Sequence, residues 1–356
     1  MTSIFVSILL FSTLLFISCG HDSFELNAAP AVTMDTDKWV LTSVYEMPRG
    51  EGDLTYGFAF TADHHLWSRG SSDSNANQLM YSDDLGKKWK FVNLPPPGLG
   101  ADGMITFADL EHGWAMDTSV LMNTENGGIA WKKVKLPSAS KLVTLNAIKF
   151  NDENHGFVAG STSHLLEKGL GTISRGMEIL CTSDGGRRWS VCYSSGTNDT
   201  TLKMISLRQS TLALVDQRTL LITNNAGITW RDEHLLFAAT DLEATPDGII
   251  WATGEDGVLR SSGDLGHIWK TIAISGSYKT SDTKWISLSF DANGCGATVG
   301  SHGAVAFSTD QGHTWRLLTD LNLHSDLWIV RVQKPYVAIT DKTKMYIFNG
   351  KSGEES

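Results

Sequence analysis

The stretch TSDGGRRW, residues 182–189, has the composition of a tight turn that ends in a large aromatic side chain. Its aspartate and two arginines would suit a catalytic site if the stretch occurred only once. A template of Ser or Thr, any residue, Asp or Asn, any residue, Gly, any two residues and Trp nevertheless fits six segments of the chain. Repetition of this kind indicates a recurring structural unit rather than a single active site.

The six copies recur at a nearly regular interval. Their tryptophans follow one another after 42, 58, 41, 39 and 46 residues. Apolar runs of strand length flank each copy, as in GVLRSS (257–262) and KTIAIS (270–275). Four short strands in roughly 40–45 residues is the period of a propeller blade. The residues at the defined positions are Asp84, Gly86, Trp89; Asn126, Gly128, Trp131; Asp184, Gly186, Trp189; Asn225, Gly227, Trp230; Asp264, Gly266, Trp269; and Asp310, Gly312, Trp315.

The residues of the repeat can stabilise the turn by themselves, so no ligand is needed to account for them. The hydroxyl and carboxyl side chains can bond to backbone groups of the turn, and the glycine supplies a positive φ. The tryptophan can pack as an apolar plug against its own blade or the next. We therefore interpret these residues as structural, and Arg187 and Arg188 as exposed turn residues.

These segments are Asp-box, or BNR, repeats. Together with HGWAMD (112–117) and HGFVAG (155–160), they resemble the photosystem II stability/assembly factor-like family. The resemblance covers nearly all of residues 38–349. It implies an all-β, seven-bladed β-propeller of four-stranded antiparallel blades in an exported or thylakoid-lumen protein, with assembly of membrane complexes as the best-known role.

The end of the chain indicates seven blades rather than six. After the sixth Asp box, LWIVRVQ (327–333), YVAITD (336–341) and KMYIFNG (344–350) provide three further strands. The segment DKWVLTSVY (37–45) can supply the missing fourth strand, with Trp39 in place of the box tryptophan. We expect this N-terminal strand to complete the last blade and to cover otherwise free sheet edges. A ring of six blades, the alternative, would leave three strands unused.

The N-terminus predicts export. An apolar run at residues 4–17 precedes Ser18-Cys19-Gly20, which resembles a lipobox in which Cys19 is lipidated. The predicted regions are a signal peptide with a lipobox-like end (1–19), a flexible tether (20–37), a single propeller domain (38–350) and a disordered tail (351–356). We expect a membrane-anchored lipoprotein of the cell envelope or periplasm. Ordinary cleavage and secretion is the alternative.

The net charge and the cysteine positions limit the partners and the disulfides that we expect. The net charge is −10 and runs of Lys or Arg are absent, which argues against nucleic acid as a partner. Cys181 and Cys192 flank one Asp box, so a cross-strand disulfide is possible in an exported protein, as are two free thiols. Cys295 is interpreted as a buried thiol. No spacing typical of a metal site occurs, and no cofactor is expected.

Two enlarged segments mark a candidate binding surface. Residues 68–78 and 161–178 both fall between the second and third strands of their blades, and this connection lies on the face opposite the Asp boxes. Residues 275–285 form a long loop on that face too. Binding residues are often found on loops that a rigid scaffold positions. We predict a protein- or peptide-binding surface here, with these residues as contacts: Arg69, His164, Lys168, Arg175 and Tyr278.

The predicted function is therefore a non-catalytic, monomeric binding or assembly scaffold, possibly for a membrane complex. The alternative is a glycoside hydrolase or sialidase, or a carbohydrate-binding propeller, because Asp boxes also occur in such proteins. A glycosidase needs two carboxylates that face each other. The candidates Asp117, Asp216, Glu255 and Asp256 belong to loops spread around the ring, so we expect no enzyme.

Overall fold

The computed structural model describes residues 39–46, 58–61, 64–72, 75–96, 98–99, 104–165, 172–196, 201–207, 210–274, 283–318, 321 and 323–350. Within these ranges the chain forms seven four-stranded antiparallel sheets. The helical structure in them is one 3₁₀ turn, Ser301–Gly303, and no described helix is long and apolar enough to cross a bilayer. The predicted all-β propeller with seven blades is confirmed. The predicted signal peptide (1–19), tether (20–37) and tail (351–356) lie outside the described residues.

The strands follow the blades in chain order, with the first strand of each blade innermost and the fourth outermost. Strand β1 is Trp39–Glu46. Blade 1 has β2 (Phe58–Phe60), β3 (Leu66–Ser72), β4 (Asn75–Ser82) and β5 (Lys90–Val92); blade 2 has β6 (Met104–Phe107), β7 (His112–Met116), β8 (Leu121–Glu125) and β9 (Lys132–Lys133); blade 3 has β10 (Leu142–Phe150), β11 (Gly156–Leu165), β12 (Thr172–Thr182) and β13 (Ser190–Ser194).

The remaining blades repeat this arrangement. Blade 4 has β14 (Thr201–Leu207), β15 (Ser210–Val215), β16 (Thr219–Thr223) and β17 (Arg231–His234); blade 5 has β18 (Ala239–Ala244), β19 (Ile250–Gly254), β20 (Leu259–Ser262) and β21 (Lys270–Thr271); blade 6 has β22 (Trp285–Phe290), β23 (Gly296–Gly300), β24 (Val305–Ser308) and β25 (Arg316–Leu317); blade 7 has β26 (Ile329–Gln333), β27 (Tyr336–Thr340) and β28 (Lys344–Gly350).

The hydrophobic core lies between blades. One cluster joins Trp67 and Leu79 of blade 1 to Ala115 and Met122 of blade 2, and the other clusters join neighbouring blades in the same way. Since each blade is covered on both faces, the described side chains of its middle strands are mostly buried, and those of Ile250–Gly254 are buried throughout. Burial of this apolar area holds the ring together and sets the positions of all the loops.

Strand β1 lies antiparallel to β28 and forms the outer strand of blade 7. Trp39 pairs with Gly350, so it stands at the start of the outer strand, where the box tryptophans stand in other blades. Its buried ring stacks on Phe307 of blade 6, with centroids 5.0 Å apart. That this strand is what keeps the ring closed stays a prediction.

The two enlarged segments are extended hairpins rather than loops that interrupt a blade. In blade 1 the pairing of β3 with β4 continues to Ser72 and Asn75. In blade 3 the pairing of β11 with β12 continues to Leu165 and Thr172. The added residues continue the antiparallel register because backbone hydrogen bonding can propagate along both strands. Both hairpins extend from the same face, which we call the hairpin face; the opposite one is the box face.

Candidate functional site

The Asp boxes share one hydrogen-bond network. In blade 2, Thr124 Oγ1 donates to Asn126 Oδ1 (3.0 Å) and accepts from the Gly128 backbone N–H (2.9 Å), while Ala130 N–H donates to Asn126 Oδ1 (2.9 Å). The other five boxes repeat these bonds with their own residues. The side chains of the box are therefore occupied in building the turn.

The box glycine lies where one blade meets the next. Gly128 has φ +86°, and a Cβ atom there would stand 2.1 Å from the Trp67 ring of the preceding blade. Gly312, with φ +86°, has the same relation to Trp251, at 2.2 Å. Only glycine combines this backbone conformation with so close an approach. The box thus fixes the packing of neighbouring blades.

The arginines of the 182–189 box are surface groups. Arg188 Nε donates to Asp184 Oδ2 at 2.8 Å, with the arginine side chain 88% exposed. The Arg188 guanidinium and its backbone N–H lower the pKa of Asp184 to about 2. Arg187 lies 3.9 Å from Glu125 of the preceding box. Asp184 is therefore a turn-forming carboxylate that is paired with an exposed arginine.

The structure holds Cys181 and Cys192 as free thiols, so the disulfide that the sequence allows is not formed in it. Cys192 lies in a bulge, because Leu180 pairs with Val191 and Ile179 with Tyr193. Its thiol donates to the Ile179 carbonyl at 3.4 Å. Contact with the Cys192 thiol lowers the pKa of Cys181 to about 7, and contact with Cys181 together with burial raises the pKa of Cys192. Cys295 is a buried thiol.

On the hairpin face, carboxylates form hydrogen bonds or ion pairs with groups close to them in the chain. Asp117 is 4% exposed and accepts from the Ser119 and Val120 backbone N–H groups. Asp341 is 5% exposed and accepts from the Tyr346 hydroxyl at 2.8 Å. Asp256 pairs with Arg260 at 2.5 Å. Carboxylates engaged in this way are poorly placed for the paired acid and base chemistry of a glycosidase.

The predicted contact residues are only partly placed. The backbone of Arg69 lies in β3, that of His164 in β11 and that of Arg175 in β12, so all three belong to the extended hairpins. Lys168 and Tyr278 lie outside the described residues. Whether these five side chains contact a partner stays a prediction.

The innermost strands carry a charged cluster that the sequence analysis missed. Lys203 of blade 4 forms ion pairs with Asp241 and with Glu243, the latter at 3.0 Å, both of blade 5. Burial disfavours the charge on Lys203, but the attraction of Asp241 and Glu243 outweighs it and raises the pKa of the lysine. Asp241 also accepts from the Leu288 N–H of blade 6 at 2.9 Å.

Further contacts continue this network around the axis. Ser289 of blade 6 accepts from the Val332 N–H of blade 7 at 3.1 Å. Arg331 of blade 7 donates to the Phe58 carbonyl of blade 1 at 3.1 Å. We call the space enclosed by the innermost strands the axial channel. The signal that could have located the cluster is a charged residue within the otherwise apolar first strand of a blade, as at Lys203 and Arg331.

Lys149, on the innermost strand of blade 3, completes the cluster. Its side chain is half-buried, and its ammonium has no ion pair or hydrogen bond with the residues that the structure describes. Burial lowers the pKa of Lys149, attraction to Glu243 works against this effect, and repulsion from Lys203 and Arg331 lowers the pKa further. Among the described residues, no group of three or more His, Cys, Asp or Glu is placed to hold a metal ion.

Seven four-stranded blades and six turns with one shared hydrogen-bond network define the class: this protein is an Asp-box, or BNR, β-propeller. A family model described as "Photosynthesis system II assembly factor YCF48" matches residues 82–172. This match and the seven-bladed fold confirm the resemblance to a YCF48-like BNR propeller that the sequence indicated. No curated protein matches the chain.

Solved structures share the fold at low sequence identity. "YCF48 bound to D1 peptide" has a TM-score of 0.65 and 17% identity, and the match covers 90% of this chain and 100% of that one. YCF48 from Cyanidioschyzon merolae has a TM-score of 0.61 and 14% identity, over 86% and 99%. Virginiamycin B lyase from Staphylococcus aureus has a TM-score of 0.59 and 12% identity, over 86% and 99%. The fold therefore occurs in both binding proteins and enzymes.

Proposed function

We propose that this chain is a non-catalytic scaffold that binds a protein or peptide partner on its hairpin face. The observation that carries the proposal is the pair of extended hairpins, β3–β4 and β11–β12, which project from one face of the ring. Long hairpins on a rigid propeller present backbone edges and side chains to a partner. The similar YCF48 structure that holds a D1 peptide supports a partner of this kind.

The proposal extends to the place where the protein acts. Export and lipidation of Cys19 would hold the propeller at a membrane through the 20–37 tether, where a monomer could assist assembly of a membrane complex. The inward-turned carboxylates Asp117 and Asp341 and the paired Asp256 support a binding role over the hydrolase alternative. The five predicted contacts on this face belong to the same proposal.

Shortening the blade 3 hairpin tests the binding surface. Replacing residues 164–173 by Asn-Gly joins the paired residues Ser163 and Ser174 through a two-residue turn. We expect partner recovery in affinity purification from membranes to fall about tenfold or more, equivalent to at least ~1.4 kcal/mol of lost contact. The thermal unfolding midpoint should stay close to that of the parent chain, because the blade core is untouched.

Ile129→Ala is the matched control, since this side chain is 85% exposed on the box face. It should leave both recovery and stability unchanged. Equal recovery by the shortened, folded variant and the parent chain would overturn the proposed surface. Loss of recovery by Ile129→Ala as well would show that the partner also depends on the box face, against binding on the hairpin face alone.

A further inference from the structure

Cys181 of β12 and Cys192 of β13 lie on adjacent strands, and their side chains face the same neighbouring blade. Both belong to the cluster that packs between blades 3 and 4. A Cβ atom built on Gly227 of blade 4 would stand 3.0 Å from the Cys192 sulfur and 3.3 Å from the Cys181 sulfur. The two sulfurs therefore border one small space, which stays open because residue 227 has no side chain.

The reduced pair is held by contacts within its own blade. Cys192 stands at the bulge of β13, and its thiol donates to the Ile179 carbonyl at 3.4 Å. The Cys181 sulfur lies 3.8 Å from the Ser190 hydroxyl oxygen. These contacts stabilise two separate thiols, while the shared space beside Gly227 keeps the two sulfurs close enough to react with each other. The pair can therefore exist in both of the states that the sequence allows.

The two thiols differ in reactivity. Neither is fully buried, whereas Cys295 is. The thiolate is the form that attacks a disulfide. With a pKa of about 7, Cys181 is about half ionised at neutral pH. Burial and the contact with Cys181 raise the pKa of Cys192, which therefore keeps its proton. Cys181 is the better attacking group of the pair.

We propose that Cys181 and Cys192 form a reversible dithiol–disulfide couple that exchanges with small-molecule disulfides. The Cys181 thiolate attacks one sulfur of the external disulfide and displaces the other as a thiolate, which takes the proton of Cys192. The Cys192 sulfur then attacks the Cys181 sulfur and displaces the second half of the reagent, which is protonated by water. Two electrons pass from the cysteines to the reagent. The new bond joins β12 to β13 across the Asp box of blade 3.

Equilibration of the folded protein in mixtures of reduced and oxidised glutathione tests the couple. Trypsin cleaves after Arg187 and Arg188, so the disulfide would link peptide 176–187 to peptide 189–203 in acid-quenched digests. We expect the linked pair to become dominant as the oxidised fraction rises, and to disappear when the protein is returned to reduced glutathione. Absence of the linked pair at every ratio would overturn the proposal. Its persistence in the most reducing mixture would overturn reversibility.

Serine variants test the two roles. Cys192→Ser should accumulate glutathione on Cys181, because no second thiol is left to release it. Cys181→Ser should be modified at Cys192 at least about tenfold more slowly, since burial still keeps the proton on that thiol. Cys295→Ser is the matched control and should form the linked peptides as the parent chain does. Equal rates in the first two variants would overturn the assignment of Cys181 as the attacking thiol.

Discussion

At the residue scale, the Asp box shows how two side chains can substitute for each other in a turn. Blades 2 and 4 use Asn126 and Asn225 where the other four boxes use aspartate. The backbone N–H bond that this side chain accepts is 2.9 Å long in both asparagine boxes and 2.8–2.9 Å long in the aspartate boxes. The turn therefore needs an oxygen acceptor at this position, not a negative charge. The charge adds a dependence on pH and, at Asp184, an exposed ion pair with Arg188.

Asp184 gives a direct test of this distinction. We expect Asp184→Asn to change the free energy of unfolding by less than about 0.5 kcal/mol near neutral pH, because its Arg188 pair is exposed. Asp184→Ala removes the acceptor for Thr182 and Arg188 and should cost about 1–2 kcal/mol. Chemical denaturation of the three proteins measures both effects. Equal losses for the two variants would contradict the argument.

The same variants test pH dependence. The folded pKa of Asp184, about 2, lies below its unfolded value of about 3.9. Its contribution is thus fully present above the unfolded pKa and is lost as pH falls through the folded one. Asp184→Asn should be less sensitive than the parent chain across this acidic window.

At the element scale, the decisive feature is the outer strand of blade 7, which comes from the other end of the chain. Seven residue pairs join β1 to β28, and Trp39 packs on Phe307 of the neighbouring blade. A local Asp box supplies the outer strand of blades 1–6, but no box follows β28. We therefore expect blade 7 to depend on the contact between β1 and β28.

Two truncations separate the strand from the segments that precede it. Deletion of residues 1–37 should leave the free energy of unfolding unchanged. Deletion of 1–46 also removes β1; it should cost at least about 3–5 kcal/mol from the buried tryptophan alone and expose the edge of β28. Light scattering should then detect self-association. A monomer of unaltered stability after the longer deletion would show that β1 is dispensable.

At the scale of the whole molecule, the blades are linked near the axis as well as through their cores. Lys203 joins blades 4 and 5, Asp241 joins blades 5 and 6, and Arg331 joins blades 7 and 1. These bonds connect strands that lie far apart in sequence. They help to position the innermost strands of blades 4, 5, 6, 7 and 1 relative to one another.

Lys203→Met is expected to destabilise the protein by about 3–5 kcal/mol near neutral pH, because it leaves Asp241 and Glu243 without their cation. The contribution of Lys203, whose folded pKa is raised, is complete below its unfolded pKa and is lost as pH rises through the folded value. Lys132→Met, which removes an exposed pair, should change stability by about 0.5 kcal/mol or less. Denaturant unfolding at neutral and alkaline pH checks this; equal effects of the two variants would contradict it.

The sequence by itself determined the repeat, the fold class and the number of blades. A blade is a local unit, and the residues of an Asp box lie within eight positions of one another, so their pattern can be read directly along the chain. The loop position of Asp117 could also be predicted from the sequence, but the burial of its side chain could not.

Only the tertiary structure decided what happens where distant segments meet. It continued the pairing of β3 with β4 to Ser72 and Asn75 and that of β11 with β12 to Leu165 and Thr172. It also placed Cys192 in a bulge and joined Lys203 of blade 4 to Asp241 and Glu243 of blade 5. Register, bulges and the electrostatics of the axial channel depend on strands from several blades. No single repeat contains that information, because these interactions exist only once the ring has formed.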